Sequence, residues 1–463
     1  MEEKDLAFVV AACGGELITG SPGASVKRVN TDSRQAHAGD LFVALSGGNF
    51  DGHTFIGEVA RKGVAAVLVG KKLSELPGCA VVKVEDTRRA YGQISAAYRK
   101  QFSIPVIAVG GSNGKTSTKE LIAAVLRQKL NTLWSEASFN NDVGVPATLL
   151  RLEKSHQAAV VEVGTNHPGE LAPLLKLVQP QFGVITNVGR EHLEFFGDLE
   201  GVAKEEGALA EALPSSGKLF LNGDNEWSDA IANRTKGLVV RVGTVAKCDW
   251  RVSNVKMDKN GVKFSVESAR EEFNGTYRIG LLGRHQVMNS LFAIALGAEL
   301  GVSRAEIERG LVECVPAKMR LQMYDAGGVR VLDDAYNANA DSMLAALLVL
   351  QELPCKGRRV AVLGDMAELG EHSEAAHAEI GRRAAELGVE QLIAVGKMAA
   401  TMAQAARGAG LSRVIELADA EAAVTSIKSF LKAGDTVLLK ASRSSRLERI
   451  ADALKAGDVG KRN

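Results

Sequence analysis

At 463 residues, with 46% hydrophobic and 24% charged residues, the chain is too long for one hydrophobic core, so two or three globular domains are expected. A formal charge of +1 argues against nucleic acid as the main partner, which would show as a basic domain or stripe. Five scattered cysteines (13, 79, 248, 314 and 355) have no paired spacing, which points to a reducing compartment and away from a zinc site. The apolar run Leu6–Cys13 follows acidic residues, unlike a signal peptide, and no apolar stretch reaches the length of a membrane span. A cytoplasmic protein with no membrane insertion is therefore expected.

Taken in chain order, the pattern divides into three α/β blocks: 1–102, 103–314 and 315–463. The first has short strands, among them the run Leu41–Leu45 and two apolar runs at 65–69 and 80–84, then a helical stretch over 87–101. The second alternates uninterrupted apolar runs (104–110, 157–163, 182–188, 217–221) with helical sequence, as in a parallel, doubly wound sheet. Between about 239 and 280 the pattern changes to an alternation that predicts an antiparallel appendage, and a helix over 285–300 follows. The third block reads as another open α/β sheet of Rossmann-like type, with strands at 329–333, 359–363, 391–395, 413–416 and 436–440.

The most specific signal is Gly110-Gly-Ser-Asn-Gly-Lys-Thr-Ser-Thr118, placed between an apolar strand and helical sequence. Glycines let backbone N–H groups close on phosphate oxygens, Lys115 supplies a point charge and Thr116 a hydroxyl for Mg²⁺. The strict loop has a glycine five residues before Gly114, where this chain has Val109. An ordinary strand–helix turn would not call for three glycines, a lysine and a threonine together. Functional residues of such sheets gather beyond the carboxyl ends of the strands. There Glu162 ends one apolar run, and His192 follows another, so both are candidate metal ligands. In the helix predicted over 199–213, Glu206 falls in the apolar stripe, whereas Lys204 and Glu205 fall toward the other side. An inward carboxylate is costly unless paired or metal-bound, which makes Glu206 a functional candidate.

These residues, with further runs along the chain, resemble the Mur ligases, ATP-dependent amide-forming enzymes of peptidoglycan precursor synthesis. The runs are Gly111–Thr116, Glu162–Glu170, Thr186–Glu194, Gly283–Asn289, Thr31–Arg34, Gly39–Leu45, Asp51–His53, Phe139–Pro146, Asp334–Asn339, Leu363–Gly370 and Lys440–Arg443. The resemblance implies a UDP-binding N-terminal domain, a central ATP-binding domain and a C-terminal Rossmann-like domain. It implies that Ser33, Arg34, Asp51, Gly52 and His53 hold the UDP end of a sugar nucleotide. Gly111, Ser112, Asn113, Gly114, Lys115, Thr116 and Ser117 would hold ATP phosphates, with His285 and Asn289 near the adenine. Thr116, Glu162, His192 and Glu206 would hold Mg²⁺. Arg320, Asp334, Tyr336, Asn337 and Asn339 would close on ATP and the incoming amine, and Asn140, Asn141, Lys440, Ser442 and Arg443 would lie on the substrate side. Relatives carry a CO₂-modified lysine fourteen residues after the histidine matching His192, and this chain has Glu206 there. No carbamylated lysine is therefore expected. Ala340 replaces the usual proline, which is expected to loosen the loop carrying Asn339, and Gln286 replaces a common asparagine.

The implied reaction joins D-alanyl-D-alanine to UDP-N-acetylmuramoyl-tripeptide through an acyl phosphate, in a monomeric enzyme. Sister ligases, a folate polyglutamylating enzyme, a phosphate-loop switch or motor and a silent binding protein are the alternatives. The run Tyr336-Asn-Ala-Asn339 and the run over 140–146 favour dipeptide addition.

Overall fold

The computed structural model describes residues 1–48 and 50–456. By contact density the chain forms two compact units. The first comprises Met1–Ala108, Leu130–Thr165 and Glu170–Phe182, and the second comprises Val109–Lys129, Asn166–Gly169 and Gly183–Asn463.

The first unit is built on a five-stranded sheet in the order Glu16–Thr19, Ala80–Lys83, Ala66–Val69, Asp40–Val43, Arg28–Asn30. Only the first pair is antiparallel; the others are parallel. Strands 40–43 and 66–69 are buried throughout, as their unbroken apolar character demands. Phe42, Ile56, Val59 and Val67 form the core beneath them. Helix Thr87–Arg99 starts where the Asp86 carboxylate accepts the N–H groups of Arg88 and Arg89. Further on, Thr132–Trp134 pairs in parallel with Ala158–Glu162, Thr132 opposite Ala158.

In the second unit the end of strand Val106–Gly110 meets the end of strand Phe182–Ile185, because Thr186 N–H donates to Gly110 O. The sheet then runs through Lys218–Asn222, Leu238–Gly243, Trp250–Asp258, Gly261–Ser268 and Gly275–Ile279. The antiparallel appendage begins only at Trp250: Leu238–Gly243 pairs in parallel on both sides. Alternation reports a strand with one exposed face, not its direction, so the expected start at 239 was too early. Helix Lys115–Leu126 packs against His285–Glu299.

The six-stranded sheet of the same unit has the order Gln322–Ala326, Val329–Asp333, Thr436–Lys440, Arg359–Gly364, Gln391–Val395, Val414–Leu417. A hairpin opens it, and the remaining strands are parallel. Helices Ala340–Glu352, Ser373–Glu386 and Ala399–Gly408 cover one face, and Ala420–Phe430 with Glu448–Ala456 cover the other. This is the two-faced arrangement of a doubly wound α/β fold.

The helix expected over 199–213 is two helices, Leu199–Glu206 and Ala208–Glu211. Arg234 donates to the carbonyls of Ala203 and Lys204; Ala203 O still accepts Gly207 N–H, whereas Lys204 O is the acceptor a continuing helix would give to Ala208. Among the described residues no helix is long and apolar enough to cross a membrane.

Candidate active site

The phosphate loop is held from below by the neighbouring strand end and by Glu206. Gly111 N–H donates to Glu206 Oε2 at 2.6 Å, Ser112 N–H to Asn187 O at 2.9 Å, and Asn113 N–H to Asn187 Oδ1 at 2.8 Å. Thr186 Oγ1 donates to Asn113 O at 2.6 Å, and Ser112 Oγ accepts Gly189 N–H at 2.9 Å. Two positions require glycine. Gly111 (φ +109°) would bring a Cβ within 2.3 Å of Thr186 Oγ1, and Gly114 (φ +84°) would bring one within 2.7 Å of Asn289 Oδ1. Helix Lys115–Leu126 starts directly after this turn, with its positive end at the loop.

Lys115 Nζ lies 2.6 Å from Gly111 O, 3.2 Å from Ser112 O and 3.2 Å from Glu191 Oε2. Glu206 is 1% exposed, so its place in the apolar stripe does turn it inward. Burial pushes its carboxyl up to about 8, against the pull of Lys115, with Glu191 adding to the rise. Lys204 is exposed as expected, but Glu205 is buried and accepts Gly169 N–H at 2.8 Å. Glu205 is drawn in by Gly169, a partner outside its own helix.

Residues 190–197 bind the third block closely. Arg190 donates through its N–H and Nε to Asp341, each at 2.8 Å, and through Nη1 to Glu379 at 2.7 Å. His192 Nδ1 lies 2.5 Å from Glu368 Oε2. Asn339 Nδ2 donates to Asn113 Oδ1 at 3.0 Å, bringing that residue onto the phosphate loop. Asn339 also caps helix Ala340–Glu352 in a reciprocal box with Ser342, and Ala340 is fully buried. The loop is therefore firmly held, against the expectation that Ala340 would loosen it. Gln286 is buried and accepts from Asn289 Nδ2 at 2.8 Å, which turns Asn289 Oδ1 toward Gly114. His285, at the start of the same helix, is exposed.

Arg320 stacks over the Tyr336 ring at 4.3 Å, and Asn337 is exposed beside it. Lys440, expected at the last strand end on the substrate side, points inward. It is buried, donates to Asp334 Oδ2 at 2.6 Å and to Asn337 O at 3.1 Å, and burial lowers its pKa. Ser442 is likewise turned inward, accepting Ala367 N–H at 2.8 Å and donating to Ala338 O at 3.1 Å. Arg443 is exposed. The strand end at Lys440 thus braces the Asp334–Asn339 and Leu363–Gly370 segments.

The first unit holds its own candidates. Lys71 donates to Asp51 Oδ2 at 2.6 Å, and His53 Nδ1 lies 2.6 Å from Asp51 Oδ1. These contacts hold the Asp51 carboxyl well below the usual carboxylate range, Lys71 contributing most. Gly70 N–H donates to His53 Nε2 at 2.9 Å, so the ring proton is on Nδ1. A Cβ at Gly52 would meet Leu45 O at 2.7 Å. Ser33 is buried, with its carbonyl bound by Lys62 Nζ at 2.7 Å, while Arg34 is exposed and forks onto Asp32. Glu162 is 1% exposed and accepts Asn140 Nδ2 at 2.9 Å; Asn141 Oδ1 accepts Gly144 N–H at 2.9 Å.

Glu191, Arg190, Asn187 and Glu368 were not singled out from the sequence, although each lies within a run quoted for the resemblance. Their roles depend on partners far along the chain, and no local pattern marks them. Among the described residues no group of three or more His, Cys, Asp or Glu side chains forms a ready-made metal site. Magnesium commonly binds through one or two carboxylates, water and nucleotide phosphates. The Thr116 hydroxyl and the buried Glu191 and Glu206 carboxylates around Lys115 are oxygen donors of that type, so the chemistry fits a magnesium–nucleotide complex.

Comparison with known proteins adds to this geometry. Residues 25–99 match the profile described as Mur ligase family, catalytic domain; residues 109–297 match Mur ligase middle domain; residues 319–443 match Mur ligase, glutamate ligase domain. The chain is 38% identical over 436 residues to the UDP-N-acetylmuramoyl-tripeptide–D-alanyl-D-alanine ligase of Escherichia coli K12, covering 92% of this chain and 93% of that one. It superposes on MurF from Acinetobacter baumannii with a TM-score of 0.90 and 31% identity, covering 99% of this chain and all of the other. The MurF ligase of Thermotoga maritima in complex with ADP gives a TM-score of 0.79 at 26% identity, over 94% and 98% of the two chains.

Proposed function

We infer the reaction from one premise: the chain belongs to the Mur ligase family. Its function is ATP-dependent addition of D-alanyl-D-alanine to UDP-N-acetylmuramoyl-tripeptide, in peptidoglycan precursor synthesis. What supports this reading is the full-length likeness to ligases of that name, together with the braced phosphate loop around Lys115.

The first step brings two anions together, the terminal carboxylate of the tripeptide and the γ-phosphate of ATP. Lys115 offsets their repulsion, and the helix start that follows the braced glycine turn cradles the phosphates. A magnesium ion bound with the nucleotide would be held by Thr116, Glu191, His192 and Glu206. When bound, it supplies positive charge where the two anions meet. The carboxylate oxygen bonds to the γ-phosphorus as the bond to ADP breaks. The resulting acyl phosphate is attacked by the neutral amine of D-alanyl-D-alanine; the amide bond forms, and phosphate and a proton leave. Asn339, placed on Asn113, and the Arg320–Tyr336 pair would line the nucleotide and amine side and exclude water from the acyl phosphate. We place the enzyme in the cytoplasm as a monomer.

The test is phosphate release from ATP with UDP-muramoyl-tripeptide, with and without D-alanyl-D-alanine. Sustained release only when both substrates are present is expected. Release indifferent to both would overturn the assignment.

A further inference from the structure

Glu368 has no role in the reaction as written, yet it makes a direct contact with His192. The inference below rests on the magnesium–nucleotide reading.

Glu368 Oε2 lies 2.5 Å from His192 Nδ1. A carboxylate can only accept there, so a neutral ring carries its proton on Nδ1 and keeps a lone pair on Nε2. Nε2 faces inward, 3.9 Å from Oε2 of Glu191, the carboxylate that Lys115 binds. The imidazole rests edge-on against Phe196, with ring centroids 6.4 Å apart.

Both partners are held on left-handed backbone, His192 at φ +49° and Glu368 at φ +61°. Such conformations are unfavourable for non-glycine residues, and they persist where the surroundings enforce them. Here the enforcement is visible. Glu194 N–H donates to Glu368 O at 3.1 Å, Ala367 N–H to Ser442 Oγ at 2.8 Å, and Met366 N–H to His377 Nε2 at 2.9 Å. Three hydrogen bonds and two unfavourable backbone conformations converge on one carboxylate–imidazole pair.

We propose that Glu368 is a positioning residue, fixing the tautomer and ring plane of His192 so that Nε2 is presented as a lone-pair ligand to the divalent cation bound with nucleotide. A carboxylate on the far nitrogen both orients a ligating imidazole and raises its basicity. Glu368 lies in the stretch matching the glutamate ligase domain and His192 in the stretch matching the middle domain. The metal ligand is thus completed only where those two regions are docked.

The test uses the full-length enzyme labelled with ¹⁵N-histidine. Long-range ¹H–¹⁵N spectra without metal report the His192 tautomer, and electron paramagnetic resonance follows Mn²⁺ binding in the presence of a non-hydrolysable ATP analogue. The wild type should show the Nδ1–H form. In Glu368→Ala that form should give way to a mixture, and Mn²⁺ affinity should fall by about tenfold or more. Glu368→Gln, which keeps an acceptor oxygen, should fall between. Glu379→Gln removes one ion pair of Arg190 and leaves the Glu368–His192 pair intact, so its Mn²⁺ affinity should stay within about twofold of wild type. Unchanged tautomer and affinity in Glu368→Ala would overturn the proposal, as would an equal loss in Glu379→Gln, which would mean docking alone. His192→Gln separates this from the reading beneath it. If that variant binds Mn²⁺ as wild type does, the metal role of His192 falls and the proposal with it. If it binds weakly while Glu368→Ala does not, only the role of Glu368 falls.

Discussion

The Asp51 cluster of the first unit and the Lys115 cluster of the second both join a lysine to carboxylates, but they are built in opposite ways. Asp51, His53 and Lys71 come from neighbouring stretches of one strand-rich region, and the charged pair, Asp51 and Lys71, stays partly open to solvent. Lys115, Glu191 and Glu206 come from segments 76 and 91 residues away from the lysine and are largely buried. An exposed cluster costs little to build and gives little stability. Two buried carboxylates around one lysine cost folding free energy, which makes sense where further positive charge is to arrive.

The sharpest way to break this contrast is Lys115→Met. Ligation should fall by at least about a thousandfold, since a principal positive charge at the reacting phosphates is lost. Steady-state turnover near wild type would show that the buried cluster is not catalytic. Next comes Glu206→Ala, which should abolish measurable ligation, with no rescue by added bicarbonate. Recovery of turnover with bicarbonate would point to a carbamylated lysine after all. Asp51→Asn should act far more mildly. KM for the sugar nucleotide should rise a few-fold with kcat unchanged, and a drop in kcat would erase the distinction between the clusters.

The smallest effect concerns His377, a buried group with local partners, which tests whether burial or sequence range sets the energetic cost. Its Nε2 accepts from Met366 N–H and its Nδ1 bonds Ser373 O. Burial holds its pKa below the usual histidine value. The unfolded chain therefore takes up the proton first. The stabilisation is complete above pH ~6.5 and is lost as the pH falls below it, by at most about 1.4 kcal/mol per pH unit. Urea midpoints at pH 7.5 and 5.5 should differ less in His377→Gln than in wild type. Equal differences would remove His377 as the cause.

Legibility in the sequence followed the range of the interactions. Strands Val329–Asp333, Gln391–Val395 and Thr436–Lys440 are apolar runs with sharp ends, and their bounds were readable to the residue. Glu206 was readable because a helical stripe needs only its own helix. Glu205 was misplaced because its burial depends on Gly169, which no helical wheel contains. The inward turn of Lys440 depends on Asp334, 106 residues earlier, and Glu368 meets His192 across 176 residues. Periodicity carries no trace of such pairs.

One consequence of the phosphate loop concerns timing. Gly111, Ser112 and Asn113 already donate their N–H groups to Glu206 and Asn187. The turn does not have to be frozen when a nucleotide arrives, so no ordering entropy is deducted from binding there. Its amides should exchange slowly with solvent in the empty enzyme, and association should be limited by encounter rather than by refolding of the turn.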